Sequence, residues 1–96
     1  MKPQLFHFRT QTGQEVDIVL EDAAGHLVGV EVKASATITS SDFKGLRALQ
    51  EISGKLFTRG VLFYAGAESV AFGANLFALP LASLWQPLSS ARTGKS

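Results

Sequence analysis

The sequence predicts a mixed α/β fold of the α+β type, a mixed sheet with its elements in β-β-β-α-β-β order. Three observations carry that prediction. Residues 15–21 and 27–33 alternate strictly, the period of a strand. Phe43, Leu46, Leu49, Ile52 and Leu56 recur at the spacing of one helix face. Residues 59–64 then form a mostly apolar run, as a buried strand does.

Residues 5–10 make the first strand, with Phe6 and Phe8 on one face and Leu5, His7 and Arg9 on the other. Residues 11–14 turn the chain, and Gly13 suits a positive φ. The next two strands are joined by a Gly-containing turn at 22–26, which predicts a hairpin. By parity, Val16, Ile18, Leu20, Val28, Val30 and Val32 share one apolar face. Glu15, Asp17, Val19, Glu21, Leu27, Gly29, Glu31 and Lys33 share the other. A hairpin symmetric about Ala24 sets Asp17 opposite Glu31 and Glu15 opposite Lys33. The three strands form an antiparallel meander.

A small-residue loop, 34–39, leads to the helix. Ser40 or Ser41 caps it, Asp42 in its first turn suits the helix dipole, and Gly54 ends it. The strand at 59–64 follows by a parallel crossover. A fifth strand is expected at 68–73, a short edge strand at 76–79, and one helical turn at 81–85. The ordered domain is expected to span 1–86, with 87–96 as a polar, flexible tail. The apolar face of strands two and three requires a helix over it. Only one substantial helix is predicted, so a three-layer domain needs another that this chain lacks.

Composition narrows the function. Ninety-six residues allow one domain at most, and 46% hydrophobic with 18% charged residues suffices for a core. A net charge of +1 gives no basic footprint for nonspecific nucleic-acid binding, while leaving room for local patches. The absence of cysteine excludes disulfides and thiolate metal sites. No signal peptide is visible. The longest apolar-rich stretch, 70–85, is broken by Gly73, Asn75 and Pro80 and is too short to span a bilayer. The expectation is a cytoplasmic protein without a membrane partner.

The carboxylates are the chemically informative residues. Like charges directly opposite on paired strands are destabilising, and a cross-strand pair is worth only about 0.2–1 kcal/mol. Stability alone gives no reason to set Asp17 against Glu31. A divalent cation does, because hard cations take several carboxylate oxygens. The competing reading is a solvated sheet face with a Glu15–Lys33 ion pair.

Asp17 on strand two, followed by Glu31-Val32-Lys33 on strand three leading into a helix, resembles the PD-(D/E)XK nuclease superfamily, with its restriction-endonuclease-like fold. The surrounding segments add to the likeness: Phe8-Arg-Thr, Gly13-Gln-Glu-Val-Asp-Ile-Val-Leu, Val30-Glu-Val-Lys-Ala-Ser35, Asp42-Phe-Lys-Gly-Leu46 and Arg59-Gly-Val-Leu-Phe-Tyr. Over residues 5–85 they resemble one family, a domain of unknown function carried at the C-terminus of bacterial and archaeal AAA-type ATPases. The resemblance implies a core of one helix followed by β-β-β-α-β. The first helix, which usually adds an acidic residue near the metal, is absent from this chain. It implies a fragment of a longer protein whose ATPase module is the natural partner. Gly94-Lys-Ser96 echoes a phosphate loop, but Ser89 stands where the motif needs glycine.

The resemblance also implies roles. Asp17, Glu31 and the Val32 carbonyl would hold Mg²⁺ or Mn²⁺, with Glu15 as a further ligand or as a salt-bridge partner of Lys33. Lys33 would orient or activate the attacking water and offset charge on the phosphate. Arg9 and Ser35 are candidates for nucleic-acid contact, against a surface arginine and a loop serine. His7 and His26 lack metal spacing to each other and read as solvated. Phe43, Phe57, Phe63, Phe72 and Trp85 read as core, without the basic interleaving of a base-stacking surface. Three functions follow: a metal-dependent nuclease acting on nucleic acid, a non-catalytic nucleic-acid- or partner-binding module serving an ATPase, and a homodimerisation domain.

Overall fold

The computed structural model describes residues 4–84. Trp85 and the tail, with its Gly94-Lys-Ser96, lie outside the described residues. Among the described residues, six strands form one mixed sheet, and one α-helix packs against it. The strands are β1 (Gln4–Arg9), β2 (Glu15–Glu21), β3 (Leu27–Lys33), β4 (Phe57–Tyr64), β5 (Val70–Ala71) and β6 (Leu76–Pro80), and α1 spans Lys44–Ser53. Across the sheet the order is β1-β2-β3-β4-β6-β5. The pairs β3–β4 and β4–β6 are parallel, and the others antiparallel. No described helix is long and apolar enough to cross a membrane.

The two hairpin turns follow local chemistry. Gly13 and Gly25 take φ of 94° and 90°. The Asp22 carboxylate accepts hydrogen bonds from the Ala24 and His26 N–H groups, closing the second turn. That hairpin is symmetric about Ala24, with Ile18 opposite Val30 and Val19 opposite Gly29.

The parity of β2 differs from expectation. Val16 and Val19 are both fully buried, while Ile18 is 45% exposed. The cause is a bulge against β1. Phe6 pairs with Val19 and Phe8 with Val16, so β2 spends three steps where β1 spends two, and the alternation reverses between Val16 and Ile18.

The helix also covers the other face from the one expected. A Cβ at Gly29 would lie 2.7 Å from Leu46 and 2.9 Å from Leu49, so α1 packs on the Val19–Gly29 side. Glycine is what admits the two leucines. The opposite face, with Ile18, Val28, Val30 and Val32, has no helix over it among the described residues, and Val32 is 54% exposed.

From α1 into the 3₁₀ turn Gly54–Leu56 that follows it, the core stripe is shorter than the spacing suggests. Leu46 and Leu49 are buried, but Ile52 is 68% and Leu56 44% exposed. Each i+3 step falls short of a full turn, so Ile52 has rotated off the face by two such steps. Gly54, at φ 56°, then ends the helix. At the other end Thr39 and Asp42, rather than Ser40 or Ser41, form a capping box before the 3₁₀ turn Ser40–Phe43.

Two strand expectations also change. The fifth strand shrinks to two residues, because the Glu68 carbonyl accepts from the Tyr64 hydroxyl and Phe72 stacks on Phe43. The segment expected at the edge, β6, lies between β4 and β5, with Leu76 and Ala78 buried.

Candidate functional site

The carboxylates gather where β3 ends and the chain crosses to α1. Glu31 and Lys33 pair in register with Leu62 and Tyr64 of parallel β4, so both lie on the helix-covered face. In open sheets with parallel strands, ligands gather outside the carboxyl ends of those strands. Glu31 is half-buried. Burial first, then the neighbouring Asp17, Asp42 and Glu15 carboxylates, push its carboxyl up to about 7.

Asp17 sits at the start of β2, just beyond Ile18, the last β2 residue in register with β3. Its Oδ2 accepts a hydrogen bond from the Val32 N–H at 3.0 Å. The side chain thus extends the strand pairing past Ile18 and is anchored beside Glu31. Among the charges acting on Glu31, Asp17 ranks first.

Lys33 does not pair with Glu15. Its Nζ donates to Asp42 Oδ1 at 2.7 Å. That bond, with the Thr39 N–H, holds the Asp42 carboxyl below the usual carboxylate range. Glu15 turns to β1 instead, because Arg9 is its cross-strand partner. Its carboxylate lies 3.3 Å from His7 Nε2 and 3.9 Å from Arg9 Nε. The other histidine, His26, contacts Asp22 at 3.1 Å. Ser35 spends its hydroxyl within the loop, donating to the Thr37 carbonyl and accepting from the Thr37 N–H.

Asp42 is the participant that sequence reasoning assigned only to the helix dipole. Its signal lies in chain order: a parallel crossover from β3 brings the first turn of the next helical segment back toward the end of β3. There Asp42 bonds to Lys33, and its charge acts on Glu31.

As a donor set, the group is sparse. Among the described residues, no cluster of three or more His, Asp or Glu side chains is arranged to hold a metal ion. Asp42 is committed to Lys33, and Glu15 to His7 and Arg9. Asp17 and Glu31 remain. Two carboxylates fit Mg²⁺, which keeps several of its own waters and takes one or two protein carboxylates. They do not make a closed protein cage.

Residues 1–84 match a protein family described as a domain of unknown function (DUF4143). The chain belongs to the DUF4143 family. No curated protein and no solved structure matches it.

Proposed function

We propose that this DUF4143 domain is a nuclease-like domain of the PD-(D/E)XK kind, using Mg²⁺ or Mn²⁺ at Asp17 and Glu31 to hydrolyse a nucleic-acid phosphodiester. The observation that carries the reading is that Asp17 is anchored on the Val32 N–H at 3.0 Å, next in sequence to half-buried Glu31, whose carboxyl is pushed up by burial and by the Asp17 charge. Such an arrangement weakens the fold unless a proton or a cation offsets it. The resemblance of Asp17 and Glu31-Val32-Lys33 to the superfamily motif agrees with it and makes an ATPase module of a longer chain its partner.

The chain's own residues divide the work. Asp17, braced by the Val32 N–H, presents its remaining oxygen lone pairs. Glu31 supplies a second carboxylate of reduced hydration. When bound, the cation supplies Lewis acidity toward water and phosphate. Lys33 offers an ammonium that offsets charge on the phosphate oxygens. Asp42 is a positioning residue, holding that ammonium at 2.7 Å.

A second reading, a partner-binding or homodimerisation module, is favoured by the uncovered sheet face with Ile18 and Val32 exposed. Calorimetric titration of Mg²⁺ and Mn²⁺ at pH 8, with solution mass in parallel, separates the two. The nuclease-like reading expects heat from the wild type and none from Asp17→Ala or Glu31→Ala. No heat from the wild type at millimolar metal overturns it, and a dimer that Val32→Asp splits would favour the second reading.

A further inference from the structure

The β1–β2 turn and the outer side of α1 border a shallow, open surface cavity of about 420 Å³, lined by Gln14, Lys44, Arg47, Ala48 and Glu51. We infer that this cavity is a phosphoryl-oxyanion site, taking either a backbone phosphate of a nucleic-acid strand or a free phosphate. Three donor-bearing side chains from two separate elements line it, and Gln14 and Arg47 are each placed by hydrogen bonds of their own.

Gln14 is the most constrained. Its Oε1 accepts from the hydroxyls of Thr10 and Thr12, and its N–H donates to Thr10 Oγ1 at 3.0 Å. With the oxygen so engaged, the amide is oriented and its Nε2 is the end left to donate; no described residue accepts from it. Arg47 donates through one Nη to the Phe72 carbonyl at 3.0 Å, which steadies the guanidinium and leaves its other N–H groups for a ligand. Lys44, one turn earlier on the helix, forms no ion pair with a described residue. The walls are held in register by Gly45, whose missing Cβ leaves room for the Glu15 backbone to lie directly against the helix. Among the described residues Glu51 is the one carboxylate on the lining, and it weakens anion binding without filling the cavity.

The position relates this site to the carboxylates. Gln14 precedes Glu15, and Lys44 follows Asp42 by two residues. A strand whose scissile phosphate lay at Asp17 and Glu31 would have further phosphates to place, and this cavity offers a second set of donors on the same two segments as Glu15 and Asp42. The strand as ligand rests on the nuclease-like reading. The oxyanion site itself does not.

Amide NMR of the full chain in EDTA tests the inference apart from any cation chemistry. Inorganic phosphate and a short oligothymidylate are titrated separately. Both are expected to shift the amides of Gln14, Lys44, Arg47 and Ala48. Lys44→Gln is expected to weaken binding roughly tenfold, the worth of about one charge-assisted hydrogen bond. In the oligonucleotide arm it is also expected to lower the log–log salt slope by about 0.7. Both Lys44 and Glu51 are exposed, so these changes leave the fold intact, and Glu51→Gln is expected to act in the opposite direction to Lys44→Gln. Shifts with phosphate alone support the site and assign it to free phosphate. No shift at these amides with either ligand, or equal affinity in wild type, Lys44→Gln and Glu51→Gln, overturns it. A failed Mg²⁺ titration removes the nuclease-like reading and leaves this result standing.

Discussion

Glu31 should make the protein less stable as the pH rises, and Glu31→Gln should reverse that. The folded carboxyl titrates at about 7 against an ordinary 4.5. Between those values the folded state holds a proton that the unfolded state has released, so stability falls with rising pH through that window and stays low above it. The gap sets a ceiling of about 3.4 kcal/mol. Glu31 keeps part of its hydration, so the expected effect is about 1–2 kcal/mol. Glutamine preserves the shape and removes the charge. Urea unfolding at pH 8 should therefore show the variant more stable by that amount, with a Tm roughly 4–15 °C higher. At pH 4.5 most of the difference should vanish. A cation at Asp17 and Glu31 would reproduce the gain: Mg²⁺ at pH 8 should raise the Tm of the wild type and leave Glu31→Gln unmoved. A variant no more stable than wild type at pH 8, or equally stabilised at both pH values, would refute the reasoning, because neither burial nor carboxylate crowding would then be acting on Glu31.

Two further substitutions probe the scaffold around the site. Gly45→Ala places a methyl against the Glu15 carbonyl oxygen, where backbone rather than a flexible side chain must yield, and should cost about 3 kcal/mol or more in urea unfolding. Asp42→Asn removes the Lys33 ion pair and weakens the capping box, and should cost about 1 kcal/mol near neutral pH. Because the folded pKa of Asp42 is lowered, its contribution is present above the ordinary 3.8 and is lost as the pH falls through the folded value, so wild type and variant should converge in acid.

Local chemistry made much of this fold legible. Glycine at 13, 25 and 54 marks three positions that take positive φ. The register about Ala24 follows from the symmetry of two alternating segments around one turn. Leu46 and Leu49 are the centre of the helix stripe and are buried as their spacing requires. Membership of a domain family of unknown function was legible too, since the DUF4143 match spans residues 1–84. At the candidate site, Asp17, Glu31 and Lys33 stand out in the text as residues of unusual pairing.

Neighbours along the chain set the turns, the strand and helix periods, the hairpin register, and which residue types are available for chemistry. Long-range packing set everything else. The bulge that buries both Val16 and Val19 arises from pairing β2 with β1, and no pattern within β2 announces it. The side taken by α1 depends on Gly29 leaving room for Leu46 and Leu49. Lys33 bonds to Asp42 instead of Glu15 because the crossover to the helix brings Asp42 to the end of β3, while pairing with β1 draws Glu15 to His7 and Arg9. Face, partner and burial are relations between segments far apart in sequence, and only packing them together selects among the arrangements that local preference leaves open.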